Sequence, residues 1–461
     1  MKQRSIRLAA TGARLAAGAI VAAACALAVV AGSVAPWPEV RTEPATSTVT
    51  PVPSDSVLVC SGSFRVLGRD ATKADLMVSA AALELRVDGD HDATASAPLE
   101  LPDLAGGSGA QAITGAVEGR KVPRFSAVES TRLSDDDATG FAAAPCREPS
   151  LSTWLVGGDV STGASDIIVL SNPGAVTATV QLDSYGASRS ASTVVVPAET
   201  QLGVPLASVA AGEDSPVVRV RSSGAPVRAS LQSTMVRTLD PVGIDLQDGV
   251  SGPQDRQMIL GVHSAPATVG DDTTGIVVRM LAPDADAHVT VRVRAVGSAT
   301  ALDEYAVDLV AATPGEIGLT GLSDGAYDIE IASSEPVVAA ARQTTRAGDR
   351  QDFAWSLPAP ELTASTATMF SVPSGAPATL YLRNPEDHEI TVALSGKDEK
   401  TARLPAGGSA AVRVRSGGYV LEADGRVSAA VGILGTGDDA TIAGWPLWPV
   451  AATQRPILVR P

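Results

Sequence analysis

Aromatic side chains make up only 3 % of the 461 residues, and there are five lysines, four histidines and three cysteines. Each scarcity excludes something. With five Trp, five Tyr and five Phe, packing falls to Val, Leu, Ile and Ala, and aromatic-lined sugar clefts are poorly supplied. The histidines His91, His263, His288 and His388 never pair at metal-ligand spacing, and H-E-x-x-H, C-x-x-C, G-x-S-x-G, S-x-x-K and G-x-x-x-x-G-K are all missing. These absences weigh against hydrolytic and metal chemistry, leaving a dispersed site between domains as the enzymatic alternative. No cofactor or metal is expected. Outside the N-terminus there is no basic run, and the formal net charge is −16, so nucleic acid is excluded as a partner: phosphate backbones are held through clustered cations.

What is present begins with Lys2, Arg4, Arg7 and Arg14, followed by an almost uncharged run from Leu15 to Ala35 and then Pro36-Trp37-Pro38. A helix over residues 15–35 is about 30 Å long, enough to cross the hydrocarbon core, and the basic flank 1–14 favours a cytoplasmic N-terminus. The expectation is a single-pass signal anchor contacting the membrane through residues 15–35, with the C-terminal bulk outside; no sorting motif or apolar tail follows Trp448. Secretion after cleavage is the alternative. Ser33-Val34-Ala35 offers small residues to a signal peptidase, but Pro36 directly after the cut opposes it. Cys25 reads as a small helix residue rather than a lipidation site. Without the four N-terminal cations, 31 Lys and Arg face 51 carboxylates, a formal charge of −20.

Residues 36–56 hold five prolines among Thr, Ser and acidic residues, and predict an extended spacer. An N-terminal extracytoplasmic domain is expected over 57–150, with loops across its Gly-rich middle, 103–119. Cys60 and Cys146 lie near its ends. In an oxidising compartment, two cysteines without a competitor form one bridge, closing a loop of about 86 residues worth on the order of 4 kcal/mol. The other use of such a pair is a metal site, but neither cysteine has a neighbouring histidine.

From Leu151 onward the pattern is steadily β. Val289-Thr-Val-Arg-Val-Arg-Ala295 alternates apolar and polar residues, as do Val218 to Arg221 and Val412 to Arg415. One feature recurs: a strand-like run, a turn at Asn172-Pro173, Ala282-Pro283 or Asn384-Pro385, then a second run. The three prolines are 110 and 102 residues apart. Each copy adds a second landmark, Pro197-Ala-Glu, Pro314-Gly-Glu or Pro405-Ala-Gly, and a third, Ala225-Pro226-Val227, Glu335-Pro336-Val337 or Gly425-Arg426-Val427. A repeat of this size predicts an all-β chain of tandem immunoglobulin-like or fibronectin-like antiparallel sandwiches over 151–257, 258–360 and 361–461.

Asp88-Gly-Asp90-His-Asp92 is the nearest approach to a calcium loop. Position six is Ala93 and position twelve Leu99, so an acidic hairpin turn is the preferred reading. Asp135-Asp136-Asp137 reads as a solvated loop; Asp271-Asp272 and Asp438-Asp439 are candidates to join cation-binding edges in a calcium-rich exterior, and none of the three is assigned a metal. Trp154, Trp355, Trp445 and Trp448 fall near unit ends, where packing is expected in preference to sugar stacking or an interface.

With its anchor, spacer, Asn172-Pro173-Gly174 turn and Asp352-Phe-Ala-Trp355 segment, the chain resembles an uncharacterised family of membrane-anchored or secreted actinobacterial proteins, a domain of unknown function. The resemblance covers nearly all of the exported part and implies a cell-envelope setting without an activity. The expected function is therefore a non-catalytic envelope protein presenting tandem β domains to an envelope protein or wall polymer. A wall-modifying or glycan-processing enzyme with an inter-domain site is the alternative, and a surface adhesin is a third reading.

Overall fold

The computed structural model describes residues 2–34, 46–49, 53–68, 76–107, 109–119, 121–135, 138–265, 275–348, 350–364, 366–449 and 457–459. Pro36-Trp37-Pro38, most of the spacer, Asp136-Asp137, Asp271-Asp272 and the His91 side chain lie outside the described residues.

Two compact units divide the chain. The smaller holds the helix Lys2–Val34, which no proline interrupts, and an antiparallel pair of strands, Ser47–Val49 with Ile457–Val459. Three residues of the expected spacer are thus paired in a sheet. Along Gly12–Ser33 the helix is long and apolar enough to cross a membrane. Leu15, Ile20, Val21, Leu27, Val29 and Val30 are all exposed on it, an apolar surface that water disfavours and lipid accepts.

Residues 52–454 make the larger unit, which is built almost entirely of strands. Its first part has three small sheets. One orders Ser56–Val59, Gln111–Gly115 and Thr94–Pro98; another orders Phe64–Val66, Met77–Ala81 and Leu104–Ala105, the last pair parallel. The third orders Thr139–Pro145, Phe125–Ser134 and Glu84–Gly89. Two of these strands lie in the stretch expected to be loops. Glycines on either side mask the short pattern, yet Ala110, Ala112 and Ile113 are buried.

Three antiparallel sandwiches follow, each with the same eight strand positions. In the first they are Ser152–Leu155, Ile167–Asn172, Ala178–Tyr185, Arg189–Val196, Thr200–Pro205, Val217–Ser223, Arg228–Arg237 and Asp240–Asp248. Strands one, six, three and four form one sheet in that order, and strands five, two, seven and eight form the other. The third sandwich repeats this from Thr368–Val372 to Ile442–Pro446. The second runs from Gln254–Ser264, which spans the expected boundary at 257/258, to Arg350–Ser356. Its sixth and seventh positions are one continuous strand, Gly325–Ala347, shared by both sheets. Pairing of strand two with five and three with six is that of an immunoglobulin-like sandwich. Strand one lies beside six and strand seven beside two, so these outer strands have exchanged sheets.

Alternation explains the cores. Along Ala287–Ala295 the valines 289, 291 and 293 point inward, and Val291 and Val293 pair with Ile331 and Ile329 on the neighbouring strand. Each sandwich has its own Val, Leu and Ile cluster, with little aromatic content.

The Asn-Pro turns work as clamps. Asn172 is fully buried; its Nδ2 donates to the carbonyls of Val176 (2.9 Å), Val196 (3.1 Å) and Pro197 (2.8 Å), and its Oδ1 accepts from Gly174 N. Asn384 does the same with His388 (2.7 Å), Leu404 (3.1 Å) and Pro405 (2.9 Å), accepting from Glu386 N. One amide therefore ties the turn after strand two to the turn after strand four. In the second sandwich Ala282 takes this place, and its carbonyl accepts from Ala312 N instead. The residues that turn the chain after strand four are Glu199 (φ 52°), Ala312 (φ 60°) and Gly407 (φ 59°), all left-handed. Pro314 is thus not the counterpart of Pro197 and Pro405; the equivalent turn is Val310-Ala311-Ala312.

Candidate functional site

The eighth strands of the three sandwiches and Thr139–Pro145 of the first part pack together within the larger unit. Asp352 lies there, 1 % exposed. Its carboxylate accepts from the backbone N–H groups of Phe141 (2.8 Å), Ile244 (3.1 Å), Phe353 (3.0 Å) and Ile442. Those four donors come from the first part and from each of the three sandwiches. Gly140 and Gly243 make the room: a Cβ on either would stand 2.5 or 2.7 Å from Asp352 Oδ1, and both have positive φ, 145° and 141°. Burial pushes the Asp352 carboxyl well above its usual range against the pull of the N–H donors. Beside it, Asp245 accepts from Trp355 N (2.8 Å) and is pushed up to about 7, first by burial. The Asp352-Phe-Ala-Trp355 segment is therefore a keystone. Its carboxylate is closed to solvent and consumed by backbone donors, which makes it a positioning group.

A second buried network joins the first part to the first sandwich. Cys60 and Cys146 are joined in a disulfide, and the Glu129 carboxylate beside it accepts from Ser61 N and from Gly62 N (3.0 Å). Arg228 answers with bonds to Ser61 Oγ (2.5 Å), Pro145 O (3.1 Å) and Asp248 (2.8 Å). Arg65, fully buried, donates to Asp103 (3.0 Å) and Gln201 (2.9 Å). Among the described residues, Cys60, Glu129 and Cys146 are the one close set of metal-type ligands. Their cysteines bind each other, which leaves no thiolate for an ion.

The site open to a ligand is a cleft of about 910 Å³ between the first part and the third sandwich. One side carries Ser56, Leu58, Lys121, Arg124, Phe125 and Arg147; the other carries Met369, Phe370, Leu447 and Trp448. Arg147 follows directly on the disulfide and forms a backbone bridge with Val59. Its guanidinium stacks on the Trp448 ring at 3.6 Å and donates from Nη1 to Gly249 O (2.9 Å). Burial is the main cause that lowers its pKa to about 10, and nearby Arg228 lowers it further. Glu148 beside it is raised, again by burial first. The other carboxylate of the cleft, Asp90, accepts from Arg124 N (3.2 Å).

The acidic stretch 88–92 turns out to be a corner rather than a hairpin. The strands before and after it, Glu84–Gly89 and Thr94–Pro98, belong to different sheets, and Arg86 engages Asp88 at 2.7 and 2.8 Å. Asp439 pairs with Arg132 (3.2 Å). His263, His288 and His388 each sit near a single aspartate, at Asp324, Asp308 and Asp387, and are brought to no common site. Trp154, Trp355 and Trp445 are buried; Trp445 and Trp448 both line the cleft. Sequence reasoning singled out Trp448 and the Asp352 segment but missed Lys121, Arg124 and Arg147. The adjacency of Arg147 to Cys146 was the available signal.

The fold and the central carboxylate define a protein of tandem β-sandwiches locked to one another through backbone donors, with one large cleft at its edge. The chain belongs to a family of unknown function, DUF5719, whose model matches residues 104–418. That span includes Asp352 and its donors at 141, 244 and 353. No curated protein and no solved structure matches the chain.

Proposed function

We propose that the chain is a non-catalytic, single-pass protein of the actinobacterial cell envelope. Residues 15–35 hold it in the membrane, the N-terminus lies inside, and the β body outside holds an envelope protein or wall polymer in the cleft. The carrying observation is the cleft itself, a large concave surface on a body whose central carboxylates, Asp352 and Asp245, are spent on backbone N–H groups. The exposed apolar face of Lys2–Val34 supports the anchor, and the Cys60–Cys146 disulfide supports an oxidising compartment. Full-length protein in detergent should retain purified wall material or a defined envelope protein, and Lys121→Ala/Arg124→Ala should weaken that retention. Binding to neither, or binding indifferent to the substitutions, removes the reading.

A glycan-processing enzyme is the second reading, and it rests on Glu148, a carboxyl raised by burial and placed in an inter-domain cleft. It requires wall-polymer cleavage that Glu148→Gln abolishes. Unchanged polymer after prolonged incubation with the full chain rejects it.

A further inference from the structure

The geometry points to an extended peptide as the occupant of this cleft, bound with a carboxylate on Arg147 and its apolar side chains against Phe125, Met369 and Leu447. This deepens the binding reading above and rests on it. Three observations converge. The first is charge: Lys121, Arg124 and Arg147 face only Asp90 and Glu148, in a chain whose formal net charge is −16. Neither Lys121 nor Arg124 has a side-chain hydrogen bond or ion pair among the described residues. Arg147 is already oriented by Trp448 and Gly249 O and spends only Nη1, so the rest of its planar fork is available to a carboxylate. Burial lowers its pKa to about 10 although Asp248 and Glu148 pull the other way, so a carboxylate brought into the cleft would offset a desolvation that these two do not.

The second observation is what the walls lack. Among the described residues no Asn, Gln, His or Tyr lines the cleft, and two of its serines, Ser126 and Ser371, bond each other at 2.8 Å. Leu58, Phe125, Met369, Phe370 and Leu447 give apolar side chains a surface to pack on. The third is a strand edge. Thr368–Val372 is the outer strand of its sheet, paired on one side only among the described residues, and Met369, Phe370 and Ser371 border the cleft. Phe370 and Ser371 are buried and the Ser371 hydroxyl donates to Ser126 O, so the half-buried Met369 is the part of this strand that an incoming segment can reach with its side chains.

The test uses the full chain in detergent micelles and a random library of N-acetylated hexapeptides, prepared once with free carboxyl ends and once amidated, with retained members read by mass spectrometry. The expected result is enrichment of free-acid members carrying apolar residues next to the carboxylate, with at least tenfold weaker binding of the amidated forms. Arg147→Ala should erase that difference. Because this change also removes the Trp448 stack, the exposed pair Lys121→Ala/Arg124→Ala serves as the second variant, with an expected affinity loss of threefold or more and a flatter salt dependence. Equal retention of acid and amide libraries overturns the proposal. So does binding of polygalacturonate, an acidic polysaccharide, that is lost in the Lys121/Arg124 variant while no peptide is retained; that outcome leaves the envelope-binding reading standing. If peptides, polysaccharide and wall material all fail to bind, both fall.

Discussion

Asp352 accepts from four buried backbone N–H groups, so removing its side chain strands donors in the interior. Each buried, unsatisfied group costs about 1–3 kcal/mol. Asp352→Ala should accordingly lower stability by at least about 3 kcal/mol in urea denaturation, or prevent folding. Gly243→Ala should approach that loss, by about 2 kcal/mol or more, since its Cβ meets the same carboxylate and its φ is positive. Wild-type stability for either variant would remove the keystone role. Asp166 and Asp245 make a separate residue-scale case. Burial pushes both up to about 7, and Asp166 raises Asp245 further. The native state then binds these protons more tightly than the unfolded chain, so the stability they contribute is present below about pH 4 and is lost as pH rises through about 7. Each such shift corresponds to on the order of 4 kcal/mol at most. Asp245→Asn should flatten the fall in melting temperature between pH 5 and pH 8, and an unchanged slope would contradict this.

At the scale of elements, the clamp amides explain why an Asn-Pro turn recurs. A residue that must bond three carbonyls from two different turns has to be Asn, since Asp offers no donors and Ala offers nothing. Asn384→Ala should cost about 2–4 kcal/mol by chemical denaturation, whereas Asp387→Ala, on the exposed part of the same turn, should be close to neutral. Equal effects would mean that the turn, and not the amide, sets the stability. The same element shows what could be read from sequence. Alternation in Val289 to Ala295 and the Asn-Pro turns are local, and they announced the strands and the repeat. Proline misled at position 314, because what the second turn needs is a left-handed residue, and in the second sandwich Ala312 supplies it without any compositional mark. Asp352 could be picked out as unusual but not interpreted, since two of its donors lie 211 and 108 positions away. The cleft was illegible for the same reason: Arg147 and Trp448 meet only once the sheets are assembled.

At the scale of the whole molecule, sandwiches strung on linkers would melt one by one. Here Asp352 joins all four parts, Arg279 of the second sandwich donates to Val156, Gly158 and Pro216 carbonyls of the first, and Arg228 ties the first sandwich to the disulfide-bearing part. Calorimetry of the full chain should therefore show one dominant transition for the β body. Three well-separated transitions would show that the modules are energetically independent.

The order in which a ribosome delivers the chain gives the central aspartate a further meaning. Phe141 and Ile244 emerge long before the carboxylate that receives them, and Ile442 arrives after it. The early parts must wait, incompletely satisfied, for a residue not yet made. A nascent chain stalled before the last sandwich should be readily nicked by protease throughout its length, and resistance should come abruptly, once synthesis passes the final strand.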